Sequence, residues 1–255
     1  MWTTARLSTA PVPSHPPRCL CQDRCVDRTL RRLHPEPAAD VRIADAYGDP
    51  DRSPPPGRPW VMITMVASVD GATTVNGASR PLGNASDTAV LSATRAAADV
   101  IVVGAGTVRA ERYGPPKTPG QRVGVVTSGG SLDMSGPLFS SGAGFLIMPE
   151  SGPHLDVPTL RVGDASVDAA AMLSRVHELV GRPVGVVQVE GGPTLNGWLV
   201  DAGCVDEFNL TLAPRIAGGA GPRAVVGAGT SANLDLAHLL VDDGGFVFSR
   251  WTTRR

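Results

Sequence analysis

Two glycine-bearing corners are the stretches of this sequence whose residue types and spacing could do chemistry. The first is Gly104-Ala105-Gly106-Thr107, directly after the β-branched run Val100 to Val103. Two glycines allow a tight turn and remove the side chains that would hold a ligand off the backbone. Thr107 stands where an N-cap would, and Val108 to Glu111 can start a helix. Exposed N–H groups at a helix start attract phosphate, so this reads either as a phosphate-binding corner or as a plain tight turn. The second corner is Glu190-Gly191-Gly192-Pro193-Thr194-Leu195-Asn196, after the apolar run Val184 to Val189. Pro193 suits the first turn of a helix, and Gly203 is placed to stop it. Two such corners at strand ends of one sheet could hold the two ends of a dinucleotide. Neither is a Rossmann fingerprint, because Arg109 stands where the third glycine would be, and no G-x-x-x-x-G-K-[ST] occurs.

Three charged residues add to the corners. Asp70 sits in the polar turn Ser68-Val69-Asp70-Gly71, and Glu190 closes a strand. Each has an ordinary alternative: Asp70 as a turn carboxylate bonding its own backbone, Glu190 as a strand-end acid paired with a neighbouring cation. Arg95 lies late on a helix that Asn84 or Ser86 caps and that runs through Ala98, with Val90, Leu91, Thr94 and Ala97 on one face. Its guanidinium could meet a phosphate or be salt-bridged on a solvated face. The loop from Ala72 to Gly83 is rich in small polar residues, of the kind that lines a site.

The elements that must position these residues are those of an α/β domain. Val100 to Val103 predicts a strand buried on both faces. Further strands are predicted at 60–67, 122–127, 144–148, 159–162, 184–189 and 207–212, with 223–226, 234–241 and 246–251 closing the domain as strands and turns, and with an Asp168-capped helix carrying Ala169, Leu173, Val176 and Val180 on one face. Helices between the early strands and none between the late ones imply a mixed sheet. Residues 1–57 are broken by Pro-rich stretches such as Pro54-Pro55-Pro56, which predicts a largely irregular, dispensable extension with a short helix at most around Asp27 to Leu33. The folded unit is expected at 58–255.

With 255 residues, a net charge of −1 and 4 % aromatics, the chain has no basic footprint for nucleic acid. No apolar run is long enough for a membrane span, and the start lacks a secretory core, so a soluble cytoplasmic protein is expected. Cys19, Cys21 and Cys25 lack the matching second half of a zinc site, although His15 and His34 flank them; with Cys204 they are expected to be reduced thiols, without a metal.

The motifs Ser68-x-Asp70-Gly71, Ala98-Asp99-x-Ile101-x-Val103-Gly104-x-Gly106-Thr107-Val108, Glu190-Gly191-Gly192-x-Thr194-Leu195, and Val205-Asp206-Glu207 followed by Ala213-Pro214 occur in this order. Over residues 58–252 they make the chain resemble the riboflavin-biosynthesis reductases, which reduce 5-amino-6-(5-phosphoribosylamino)uracil with NADPH. The resemblance implies a dihydrofolate-reductase-like, three-layer α/β fold with a central mixed, mostly parallel sheet. It implies that Asp70, Ser79, Arg95 and Glu190 face the substrate, with Arg95 at the phosphate or ribose and Asp70 and Glu190 as candidate proton relays. It places Val66, Thr107, Glu111 and Gly191 to Leu195 (Gly192, Pro193 and Thr194 included) around the cofactor, with Ser128 on the 2′-phosphate side. Fused relatives carry D-D-P-x-L-x-x-R after the first corner, where this chain has Glu111-Arg112-Tyr113-Gly114-Pro115. The leading segment is too short for their zinc deaminase and has no H-x-E or P-C-x-x-C motif, so a stand-alone enzyme is expected. Stand-alone relatives imply a homodimer, with strand 208–212 and the C-terminal strands offering an interface. Two rival readings remain: a pterin reductase of the same fold, which would need a carboxylate facing the pterin, and a non-catalytic NADP(H)-binding protein.

Overall fold

The strand β4 (Val100–Gly104) runs through the middle of the molecule, and its residues Val100 to Val103 have no solvent exposure. Their unbroken branched side chains fill both faces: Val100 and Val102 belong to one core layer, Ile101 and Val103 to the opposite one. The computed structural model describes residues 28–48 and 51–254, so Cys19, Cys21, Cys25 and His15 lie outside the described residues.

Around β4 the chain lays down β1 (Thr29–His34), β2 (Ala38–Arg42), helix α1 (Ile43–Gly48), β3 (Trp60–Ser68) and α2 (Ala85–Ala96) before it. After it come α3 (Ala105–Glu111), β5 (Arg122–Val126), α4 (Pro137–Ser140), β6 (Gly144–Met148), β7 (Thr159–Arg161), α5 (Ala169–Arg175), α6 (His177–Val180), β8 (Val186–Val189), α7 (Pro193–Asp201), β9 (Glu207–Ala213), β10 (Leu234–Val241) and β11 (Val247–Thr253). All eleven strands form one sheet in the order β2-β1-β10-β11-β9-β3-β8-β4-β5-β6-β7. From β9 to β7 the neighbours are parallel, and from β9 outward to β2 they are antiparallel. The sheet is thus mixed and mostly parallel, as expected. On one face α5 and α7 pack through Met172, Leu173, Leu195 and Leu199. On the other, α3 and α4 contribute Ala105 and Leu138.

Helix ends follow the sequence signals. Asn84 caps α2 by accepting from Asp87 N–H at 2.9 Å, and Asp168 caps α5 by accepting from Ala171 N–H at 2.7 Å. Pro193 opens α7. Thr107, however, is not a cap: Gly104 holds that position, and Thr107 lies inside the first turn of α3.

The leading segment departs from the expectation. The sequence suggests a largely irregular stretch with at most a short helix around Asp27 to Leu33, whereas Thr29–His34 is strand β1, paired with β10 and β2. Leu30, Ile43 and Tyr47 are at most 3 % exposed and pack with Val90, Leu240 and Phe248. Downstream, Arg52 gives two hydrogen bonds to Glu207, at 2.9 and 3.0 Å, and Glu207 is fully buried. Residues 29–48 therefore belong to the sheet and its core rather than to an irregular extension. Of the closing segments expected as strands and turns, 234–241 and 247–253 are strands and 223–226 is an irregular connection.

Candidate active site

The parallel strands β8, β4 and β5 end side by side, and their carboxyl ends open on a cavity of about 1190 Å³. This is where open α/β sheets place their ligands. The two glycine corners touch here. Gly104 N–H donates to Gly191 O at 2.7 Å, and a Cβ on Gly104 would come within 3.2 Å of Gly192 N. A Cβ on Gly192 would lie 3.1 Å from Thr107 Oγ1. A side chain on Gly104 would thus press on the backbone of the second corner, and one on Gly192 on the Thr107 hydroxyl. Gly106 differs: an added Cβ meets nothing within 4 Å, and the residue lines the cavity. Its missing side chain leaves room on the ligand side.

Most residues singled out in the sequence converge on this cavity. Val66, Ser79, Arg95, Gly104, Gly106, Thr107, Glu111, Ser128, Glu190, Gly192, Pro193, Thr194 and Leu195 all line it. Gly191 stands behind the lining, with its carbonyl on Gly104. Glu111 accepts from Ser79 N–H at 2.7 Å, which ties the polar loop to α3.

Arg95 and Glu190 do more than share the cavity. Arg95 donates from Nε and Nη2 to the two Glu190 oxygens, each at 2.6 Å, and Nη2 also donates to Tyr113 Oη at 2.8 Å. Gln188 Nε2 supports Glu190 at 3.0 Å. The alternatives weighed for the two residues, a salt-bridged arginine and a strand-end acid with a cation, thus describe one pair, set in the wall of the cavity.

Asp70 is the exception and is corrected. It is not part of the cavity lining. Its oxygens accept from Ser68 Oγ at 2.5 Å, Ala217 N–H at 2.9 Å and Gly218 N–H at 2.8 Å. The Ser68 hydroxyl, then these two backbone donors, hold its carboxyl down at about 2. A carboxyl so strongly favoured as its anion pins the 215–219 loop and is a poor proton relay near neutral pH.

The sequence reading missed several cavity residues. Arg80, Arg109 and Arg112 line it; Arg109 donates to Ser131 O, while Arg80 and Arg112 have no carboxylate partner among the described residues. Asp87 lines it too, with burial pushing its carboxyl up and a Thr211 hydrogen bond opposing that. The signal for Asp87 was its spacing, since Asp87, Leu91 and Arg95 are four apart on α2 and all three reach the cavity. Thr64 Oγ1 on β3 is buried at the cavity without a hydrogen-bond partner. Among the described residues, no group of three His, Cys, Asp or Glu side chains could hold a metal, and no helix is long and apolar enough to cross a membrane.

Over most of its length the chain is similar to known proteins. Residues 59–248 match the model of the RibD C-terminal domain. A 2,5-diamino-6-ribosylamino-4(3H)-pyrimidinone 5′-phosphate reductase of Aquifex aeolicus is 31 % identical over 202 residues, covering 71 % of this chain and 89 % of that protein. The solved structure of a pyrimidine reductase-like protein from Corynebacterium diphtheriae superposes with a TM-score of 0.71 at 23 % identity, over 84 % of this chain and all of that one. A dihydrofolate reductase from Enterococcus faecalis, complexed with NADP(H), superposes with a TM-score of 0.50 at 12 % identity, over 77 % of this chain and 97 % of that one. The fold is accordingly dihydrofolate-reductase-like.

Proposed function

Because the chain belongs to the RibD C-terminal domain family, we propose that it is the NADPH-dependent reductase of riboflavin biosynthesis, reducing the ribosyl group of 5-amino-6-(5-phosphoribosylamino)uracil to ribityl. The relative from Aquifex aeolicus is named for the corresponding diaminopyrimidinone, which makes that compound the second substrate to try. The observation that carries the reading is the convergence of both glycine corners, Ser79, Arg95 and Glu190 on one cavity at the strand ends.

The residues present fit a dinucleotide. The junction of Gly104 and Gly192 brings two strand ends together, and the open side of Gly106 lets a phosphate approach the backbone. Ser128 and Arg109 line the same cavity by the end of β5, where a hydroxyl and a guanidinium would favour the 2′-phosphate of NADPH over NADH. When bound, NADPH supplies the hydride that the first ribosyl carbon accepts. The chain's own part is positioning. Arg95, held by Glu190 and Tyr113, presents a fixed face to the substrate, and Arg80 and Arg112 offer unpaired cations to its phosphate.

The test is NADPH oxidation, followed by absorbance, with the phosphoribosylaminouracil, the diaminopyrimidinone phosphate and dihydrofolate in parallel. Turnover with a ribosylamino phosphate and none with dihydrofolate supports the reading. Turnover of dihydrofolate alone replaces it with the pterin reductase, and no turnover with tight NADPH binding leaves a binding protein.

A further inference from the structure

Opening an N-glycoside and reducing it takes up one proton for each hydride, and the site must supply that proton. Three of the described carboxyl groups line the cavity: Asp87, Glu111 and Glu190. Glu190 gives both oxygens to Arg95, and Glu111 accepts from Ser79 N–H. Asp87 has no cation on it among the described residues, and its bonded neighbour is the Thr211 hydroxyl of β9.

The surroundings of Asp87 shift its carboxyl toward the protonated form. Burial raises it, and the Thr211 hydrogen bond only partly offsets that. Tyr47 of α1 faces it as a neutral phenol, itself pushed up by burial and by the nearby charges of Glu207 and Asp87. Arg80, Arg95 and Glu111 share the cavity, and Asp87 stands about 12 Å from Arg95 along α2 at 1.5 Å per residue. Gly83 leaves the carboxyl uncovered, since a Cβ there would lie 2.6 Å from Asp87 Oδ2. Thr64 Oγ1, buried without a partner on the same cavity, is a further polar contact for a ribityl hydroxyl.

We propose that Asp87 is the proton donor of the reductase reaction, protonating the ribose ring oxygen as its bond to the first ribosyl carbon breaks. The inference rests on the reductase reading above. The electron pair of the breaking C–O bond goes to that oxygen, which takes the Asp87 proton. The lone pair of the exocyclic nitrogen forms C=N. Hydride from NADPH then adds to the carbon with its electron pair, and the C=N π pair returns to nitrogen. One C–O bond is lost, one C–H and one O–H bond form, NADPH becomes NADP⁺, and the Asp87 carboxylate regains a proton from water.

Carbon-13 NMR of the ligand-free protein, labelled at aspartate carboxyls and assigned through Asp87→Asn, should show Asp87 titrating above the other aspartates. An Asp87 that titrates in the ordinary range or below overturns the proposal whatever the kinetics show. With NADPH and the phosphoribosylaminouracil, Asp87→Asn should lower kcat about 100-fold or more, leave the NADPH Kd by calorimetry within twofold, and be partly rescued by Asp87→Glu. The wild-type kcat should fall as pH rises through the Asp87 ionisation. In Thr211→Val that fall should move to higher pH, because the bond favouring the carboxylate is gone; this variant also serves if Asp87→Asn folds poorly. Full kcat and an unchanged pH profile in Asp87→Asn, with an active wild type, overturn the proposal alone. A wild type that oxidises no NADPH with this substrate overturns the reductase reading and the proposal with it.

Discussion

Arg95 and Glu190 form a two-bond ion pair, Nε to Oε1 and Nη2 to Oε2, both at 2.6 Å, across the helix α2 and the end of β8. Each therefore sets the other's geometry, and the site presents to a substrate a neutralised pair rather than a free cation and a free acid. The Glu190 side chain is only 7 % exposed and that of Arg95 25 %. Removing one partner of a buried pair leaves an uncompensated charge at a cost of several kcal/mol, and the partial exposure of Arg95 reduces this to about 2 kcal/mol. Arg95→Ala should accordingly lower Tm by about 4–8 °C, at 2–4 °C per kcal/mol for a chain of this size. Adding Glu190→Gln should recover part of the loss in scanning calorimetry. Unchanged Tm in the single variant would show that the pair adds nothing to stability and that its role is confined to the ligand.

The leading strands make a second prediction, opposite to the dispensable extension that the proline punctuation suggested. A chain beginning at Arg58 loses Leu30, Ile43 and Tyr47 from the core and strips Arg52 from Glu207. At about 1.5–3 kcal/mol for each of these three buried side chains, the loss is roughly 4.5–9 kcal/mol, comparable to the whole stability of an ordinary domain. The shortened chain should be largely insoluble or unfolded by circular dichroism. A soluble product with the full-length Tm would show that residues 28–57 only decorate the sheet.

What was legible in the sequence was what local chemistry decides. The run at Val100 to Val103, the caps at Asn84 and Asp168, Pro193 at a helix start and the two glycine corners each carry their own reason, and each stands where expected apart from the cap at Gly104. Strand β1 was hidden because only Leu30 of its six residues is buried, so Arg31, Arg32 and His34 give it no apolar period. Its pairing with β10 joins residues some 200 positions apart, which no window along the chain can register. Asp87 was hidden by its ordinary place in the first turn of a helix, where acids are common; its spacing from Leu91 and Arg95 put it on one helix face with them, and the packed fold shows that this face reaches the cavity.

Acid should unfold the protein in part through Glu207. Burial alone would raise its carboxyl, but the Arg52 hydrogen bond and the charges of Arg52 and Arg250 hold it at about 2, against 4.5 for a free glutamate. A depressed folded value gives stability that is present above pH 4.5 and lost as pH falls toward 2. Stability measured by urea unfolding should decline through that window with proton uptake about one greater than in Glu207→Gln. The variant itself should be weaker at pH 7, since Arg52 and Arg250 lose their common acceptor. Equal slopes in the two proteins would remove Glu207 from the acid response.

Strand β9 has an inverted pattern that bears on assembly. Its polar Glu207, Asn209 and Thr211 are buried, while Phe208, Leu210 and Leu212 are only partly covered. An apolar stripe left half-open in mid-sheet suits an isologous contact with a second copy of the chain. Sedimentation velocity at micromolar concentration should give a dimer for the wild type and a monomer for Leu210→Lys. A monomeric wild type would remove the expected homodimer.

Gly106 allows ligand binding to be tested without disturbing the fold. Most glycines of the corners cannot be changed cleanly: a Cβ on Gly191 would sit 3.0 Å from Met65 Sδ at a φ of +74°, and one on Gly192 would press on Thr107. Gly106 lies in the first turn of α3, where an added Cβ meets nothing within 4 Å and points into free space beside the cavity. Alanine there should leave the fold unchanged or stabilise it by about 0.5–1 kcal/mol, because it gains helix propensity and restricts the unfolded chain. If a phosphate of NADPH approaches this backbone, the same methyl group occupies its path and the Kd should rise several-fold in calorimetry. Stability and affinity should thus move in opposite directions, which no general damage to the structure can produce. Gly106→Ala with raised Tm and unaltered NADPH affinity would place the cofactor elsewhere in the cavity.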